Sequence, residues 1–133
     1  MLFPDESYRV MGACFEVHNA MGSGFLEDVY HECLAIEFEQ TGIPFISKPE
    51  LKLTYRGREL EQTYRPDFIC FGCILIEIKA VTALADAHRA QVINYLNATR
   101  FQLGILVNFA AYPKLEYQRI ALSEGKPKNP NDE

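Results

Sequence analysis

Two acids and a lysine carry the strongest chemical signal in this chain. Arg65-Pro66-Asp67 is followed, ten residues after Asp67, by Glu77-Ile78-Lys79. Glu77 and Lys79 interrupt the apolar run Ile74-Leu75-Ile76-Glu77-Ile78-Lys79-Ala80, which reads as a buried central strand. Strand residues two apart point to the same face, so the pair projects together. Unpaired charges are costly to bury there. A salt bridge from Lys79 to one carboxylate, or a strand end that reaches solvent, is the plain alternative. Asp67 adds a reason for more, because a hairpin can bring it beside Glu77. Two carboxylates with nearby backbone carbonyls suit magnesium, which prefers oxygen ligands and keeps several waters. A lysine alongside can orient an attacking water and offset charge developing on a phosphate.

The elements that must position these residues follow from periodicity. Residues 5–20 read as a helix, with Asp5 as a cap and Val10, Ala13, Cys14 and Val17 at helical spacing. Met21-Gly22-Ser23-Gly24 breaks it. A second helix is predicted over 25–40, with a wide apolar stripe through Leu26, Val29, Tyr30, Cys33, Leu34, Ile36 and Phe38. Thr41-Gly42-Ile43-Pro44 stops it. Leu51, Leu53 and Tyr55 alternate with polar residues as in a strand, and Arg56-Gly57-Arg58 is a turn. Further strands are expected over 60–70 and 74–80, a helix over 83–99, a buried strand over 103–109 and a short strand over 117–122. The order predicts an α/β sandwich around a mixed sheet. A helical crossover then sets 103–109 parallel to the third strand. With no repeat or linker visible, residues 1–122 are expected to form one domain. The tail 123–133 has no apolar face to bury and is expected to be disordered.

Pro66-Asp67 with Glu77-Ile78-Lys79, on consecutive strands before a helix, resembles the signature of the PD-(D/E)XK nucleases. Gly24-Phe25-Leu26-Glu27-Asp28-Val29-Tyr30 fits the pattern G-x-x-E-x-x-Y. The chain resembles the family named for that pattern, the GxxExxY proteins, from about Val10 to Leu122. The similarity includes His88-Arg89-Ala90-Gln91, Tyr95-Leu96 and Gly104-Ile105-Leu106-Val107-Asn108-Phe109. The resemblance implies a restriction-endonuclease-like core of helix, three strands, helix and strand, with a mixed β-sheet flanked by helices. It implies Asp67, Glu77 and Glu27 as ligands of Mg2+ or Mn2+, and Lys79 as the residue that positions the attacking water. It also implies Gln91 as a polar helix residue beside the site.

Bland readings stand beside several of these. Glu27 is also an acid at a helix amino end, where the dipole favours it. His88, Gln91 and Tyr95 can share one helix face. His88 could contact phosphate or donate a proton, although a histidine flanked by alanines is more often a surface or packing residue. Tyr30 and Tyr95 are expected in the core with a bonded hydroxyl. Gly24 is expected where a side chain would hinder the turn into the helix. Gly22-Ser23-Gly24 lacks the lysine and preceding strand of a phosphate-binding loop. No serine, histidine and acid are spaced as a recognisable nucleophile setting, and there is no G-x-S-x-G.

Cys70 and Cys73 form a C-x-x-C that could be half of a zinc site, but Cys14 and Cys33 fall singly in helical segments. Turn cysteines around Phe71-Gly72 are the expectation. The amino terminus shows no secretion signal and no apolar run spans a membrane, so a cytoplasmic protein is expected. Net charge is -5, which argues against a broad basic nucleic-acid face. It leaves room for a nuclease whose acids are offset by bound cations. The resemblance to nucleases implies DNA or RNA as the partner, and a homodimer is a reasonable assembly. A catalytically idle binding module on the same fold is the rival reading.

Overall fold

The computed structural model describes residues 1–122; the predicted tail lies outside the described residues. Helix α1 (Pro4–Met21) starts with proline at its first position, and Asp5 lies within the first turn. Asp5 is therefore no cap; Phe3 occupies that position, and the acid acts on the helix dipole instead. Helix α2 (Glu27–Thr41) begins two residues later than predicted and ends at Gly42, whose φ of 72° is the left-handed conformation glycine accepts most readily.

A five-stranded sheet follows the order β1-β4-β5-β6-β7. Its strands are β1 (Phe45–Ser47), β4 (Phe68–Cys70), β5 (Ile74–Lys79), β6 (Leu103–Asn108) and β7 (Glu116–Ala121). Among the described residues only β5 and β6 pair in parallel, and the helix between them, α3 (Asp86–Ala98), makes the predicted crossover. The remaining pairs are antiparallel. The expected α/β architecture, a mixed sheet flanked by helices, is the one observed.

Two details differ from the periodicity. Residues 60–70 are not one strand: β3 (Arg58–Tyr64) ends before Arg65-Pro66-Asp67, and β4 begins at Phe68. Pro66 offers no N–H to a ladder, so pairing stops there. β3 instead pairs with β2 (Leu51–Tyr55) in a separate ribbon that turns at Arg56-Gly57, both in left-handed conformation. The unpredicted β1 is too short to show a period, and it is held by pairing to β4.

The sheet has two different faces. Ile74, Ile76 and Ile78 of β5 join Val10, Val17, Tyr30, Leu34 and Phe38 of α1 and α2 in one core. Leu75 joins Val92 and Leu96 of α3 and Tyr64 of β3 in the other. Gly104 on β6 lets α3 approach closely, since a Cβ there would meet Val92 at 2.9 Å. By strand alternation Glu77 and Lys79 share the α3 side with Leu75, as the sequence predicts. Among the described residues no helix is long and apolar enough to cross a membrane.

Candidate functional site

Register brings the two acids together. Phe68 pairs with Ile76, so Asp67, one residue before Phe68, comes beside Glu77 on the neighbouring strand. Asp67 is fixed at three points. Its Oδ2 accepts the Ile78 N–H at 2.8 Å, its Oδ1 lies 3.0 Å from His31 Nδ1, and its carbonyl accepts the Lys48 N–H at 2.8 Å. Glu77 Oε1 accepts the Tyr64 hydroxyl at 2.7 Å. Tyr64 in turn stacks on Tyr95 of α3, with ring centroids 3.5 Å apart and 6° between planes. Lys79 Nζ reaches Gln91 Oε1 at 3.5 Å, a long hydrogen bond. Asp67, Glu77, Lys79 and Gln91 thus meet at one end of β5.

Burial raises the pKa of Glu77 to about 7, with the neighbouring Asp67 carboxylate adding to the rise. The Tyr64 hydrogen bond and the Lys79 charge oppose it. Burial also pushes the Tyr64 hydroxyl far above its ordinary range, helped by Glu77, so Tyr64 stays a donor. A carboxylate of raised pKa favours folding below its unfolded value of 4.5 and loses that advantage as pH climbs through about 7. Metal-free protein should therefore lose about 3 kcal/mol of stability across this window. Glu77→Gln should flatten the profile, as measured by urea unfolding at about pH 5 and about pH 8.

Glu27 stands apart from the pair. It is exposed in the first turn of α2, beside Asp28, whose carboxylate lies 3.8 Å from Lys48. Among the described residues no three His, Cys, Asp or Glu side chains are gathered to hold a metal. His31, one turn further along α2, shares the helix face of Glu27 and reaches Asp67, so that face is turned toward the site. The tyrosine of G-x-x-E-x-x-Y is structural. Tyr30 is fully buried, donates to the Gly22 carbonyl and accepts the Phe25 N–H, which closes the loop ahead of Glu27. The motif's glycine does not meet its expectation: Gly24 has open space for a Cβ, and the left-handed residue of this turn is Gly22, at φ 79°. The reversal is taken where α1 ends rather than where α2 starts.

His88 also leaves the chemistry. Its Nδ1 accepts the Ala85 N–H at 2.9 Å and so caps α3. Cys70 and Cys73 flank a turn in which Phe71 and Gly72 have positive φ, and the Cys73 N–H donates to the Cys70 carbonyl. Burial pushes the Cys70 thiol up to about 12 and raises that of Cys14 further, which disfavours the thiolates zinc requires. These cysteines are free, turn and core residues, as expected.

Sequence reasoning missed His31, Tyr64 and Asn108. Asn108 is wholly buried, and its side-chain amide bonds both the N–H and the carbonyl of Val81. It thereby fixes the backbone just beyond Lys79. His31 carried one usable signal, its position four residues after Glu27. Tyr64 carried none, because its partner lies in a different sheet. Beside the site, α3 and β2 flank a groove of about 480 Å³, lined by Leu53, Ala90, Gln91, Asn94 and Tyr95 among others.

The donor set suits a hard divalent cation. Hydrogen bonds occupy two of the roughly four acceptor positions of the Asp67 carboxylate. Mg2+ is commonly held by one or two carboxylates, with waters and substrate oxygens completing its shell, so a third protein acid is not required. Fold and site together define an α/β core with two facing carboxylates and a lysine at one end of its central strand. The chain belongs to the PD-(D/E)XK nuclease superfamily, whose family model matches residues 4–120. Nucleases of this superfamily generally use divalent metals such as Mg2+. No curated protein and no solved structure matches the chain.

Proposed function

We propose that the protein is a divalent-metal-dependent phosphodiesterase acting on DNA or RNA. The observation that carries this reading is the meeting of Asp67, just ahead of β4, with Glu77 and Lys79 on the paired strand β5, and with Gln91 on Lys79. Asp67 and Glu77 hold Mg2+ or Mn2+, and Glu27 supports the acidic cluster through water. When bound, the cation supplies a more acidic water and neutralises phosphate charge. Lys79 positions the attacking water and faces the phosphate, while Gln91 holds the ammonium in place. The groove along α3, which includes Gln91 and is lined by uncharged residues, offers the rest of a nucleic-acid strand a path away from the scissile phosphate.

The four free cysteines agree with a reducing, cytoplasmic setting. The match of G-x-x-E-x-x-Y at Gly24, Glu27 and Tyr30 supports placement among the GxxExxY proteins. A homodimer would supply the extended substrate surface that one small acidic chain offers poorly, and light scattering reads that directly. The test of function is a cleavage screen on labelled single- and double-stranded DNA and RNA with Mg2+, Mn2+ or a chelator. Metal-dependent cleavage is the expected result. No cleavage of any substrate, with no binding of either ion, sinks the reading in favour of a binding module.

A further inference from the structure

The hydrogen bonds around Asp67 continue outward. His31 Nε2 lies 2.7 Å from Ser47 Oγ, so Ser47, His31 and Asp67 form one connected line from the exposed end of β1 to the acid beside Glu77. An ionised carboxylate only accepts, so the proton between His31 and Asp67 belongs to Nδ1. In the neutral imidazole Nε2 is then the acceptor, and the Ser47 hydroxyl donates to it. The imidazole lies flat on Phe68, with centroids 4.1 Å apart and 11° between planes. Its orientation is therefore set by a ring below, a hydroxyl on one side and a carboxylate on the other.

The connectivity is that of a Ser-His-Asp triad. Its inner carboxylate, however, has a second fixed partner in the Ile78 N–H and stands beside Glu77. Each Asp67 oxygen thus receives one donor, from α2 and from β5, and the plane of the carboxylate is determined before any ligand arrives. We propose that His31, anchored by Ser47, is a positioning residue that presets Asp67 for a divalent cation. This rests on the metal reading above and adds to it a residue that no motif of the chain marks. Partners of this kind orient ligating groups, and their loss typically weakens metal binding by about 10–100-fold.

The ring and the donor can be removed separately. His31→Phe keeps a flat ring over Phe68 and lacks the donor. His31→Asn loses the ring and retains an amide N–H near the place of Nδ1. Calorimetric titration of the whole chain with Mn2+ should show His31→Phe weakened by about tenfold or more, and His31→Asn close to wild type. Ser47→Ala should fall between them, since it frees the ring without removing the Asp67 bond. Wild-type affinity in His31→Phe overturns this inference alone, as does an equal loss in His31→Phe and His31→Asn, which would trace the effect to packing. Absence of Mn2+ binding by the wild type overturns the metal reading itself, and this inference with it.

Discussion

Replacing Lys79 by methionine should cut the rate of phosphodiester cleavage by about 10²–10³-fold while leaving Mn2+ binding in place. Methionine preserves an unbranched apolar stem and removes the ammonium. Lys79 shares the β5 face with Glu77, whose Oε1 is bonded to Tyr64, and its Nζ lies 3.5 Å from the neutral Gln91 Oε1. An ammonium held by a neutral amide keeps its charge available for a phosphate. Lys79 is only partly buried and has no close ion pair among the described residues, so its loss should change stability by less than about 1 kcal/mol. Single-turnover rates at saturating metal, with urea unfolding as the control, separate the two effects. A binding module predicts a different result, in which Lys79→Met leaves partner affinity intact and there is no turnover to lose.

Tyr30→Ala should be among the most damaging changes to the fold, costing about 3–5 kcal/mol. The side chain is fully buried and stacks on Phe109 at 4.7 Å, and its hydroxyl joins the Gly22 carbonyl to the Phe25 N–H. Truncation opens a cavity between α2 and the end of β6 and strands two polar backbone groups. The loss is a large share of the roughly 5–15 kcal/mol that holds a domain of this size together. Tyr30→Phe keeps the stack and removes only the hydroxyl, so it should cost about 1–2 kcal/mol. Urea midpoints of the two variants, at constant slope, give both numbers. A loss below about 1 kcal/mol in Tyr30→Ala would mean that the motif tyrosine does not tie α2 to the sheet.

How far the sequence discloses this arrangement depends on how local each cause is. The three helices, the β5 run and the stop at Gly42 are local patterns, and all appear close to where periodicity puts them. The α2 stripe is narrower than expected: Leu26 and Ile36 are exposed, and Tyr30, Leu34 and Phe38 carry the burial. The parallel pairing of β5 with β6 follows from the crossover helix between them. The break at Pro66 was also local, but the apolar residues on either side suggested one continuous strand. β1 could not be seen at all, because three residues show no period and its stability comes from β4. At the site, Glu77 and Lys79 were legible because charge inside an apolar strand is costly. His31 and Tyr64 were not, because each meets its carboxylate across a separate element of the fold. Ser47, His31 and Asp67 show the same limit, since residues so far apart in the chain meet only through the packing of α2 against the sheet edge. Gly24 was misjudged because the strain of the turn is taken up two residues earlier, at Gly22.

The central claim is that Asp67 and Glu77 form a cation site, and the most direct test is calorimetric titration with Mn2+ of the wild type beside Asp67→Asn. Asparagine keeps the shape of the side chain and can still accept the Ile78 N–H, while its NH2 cannot accept from His31, so the variant removes the charge together with one acceptor. The account predicts saturable binding by the wild type and a loss of at least about tenfold in the variant. Equal affinities in the two proteins, or no binding in either, would contradict it.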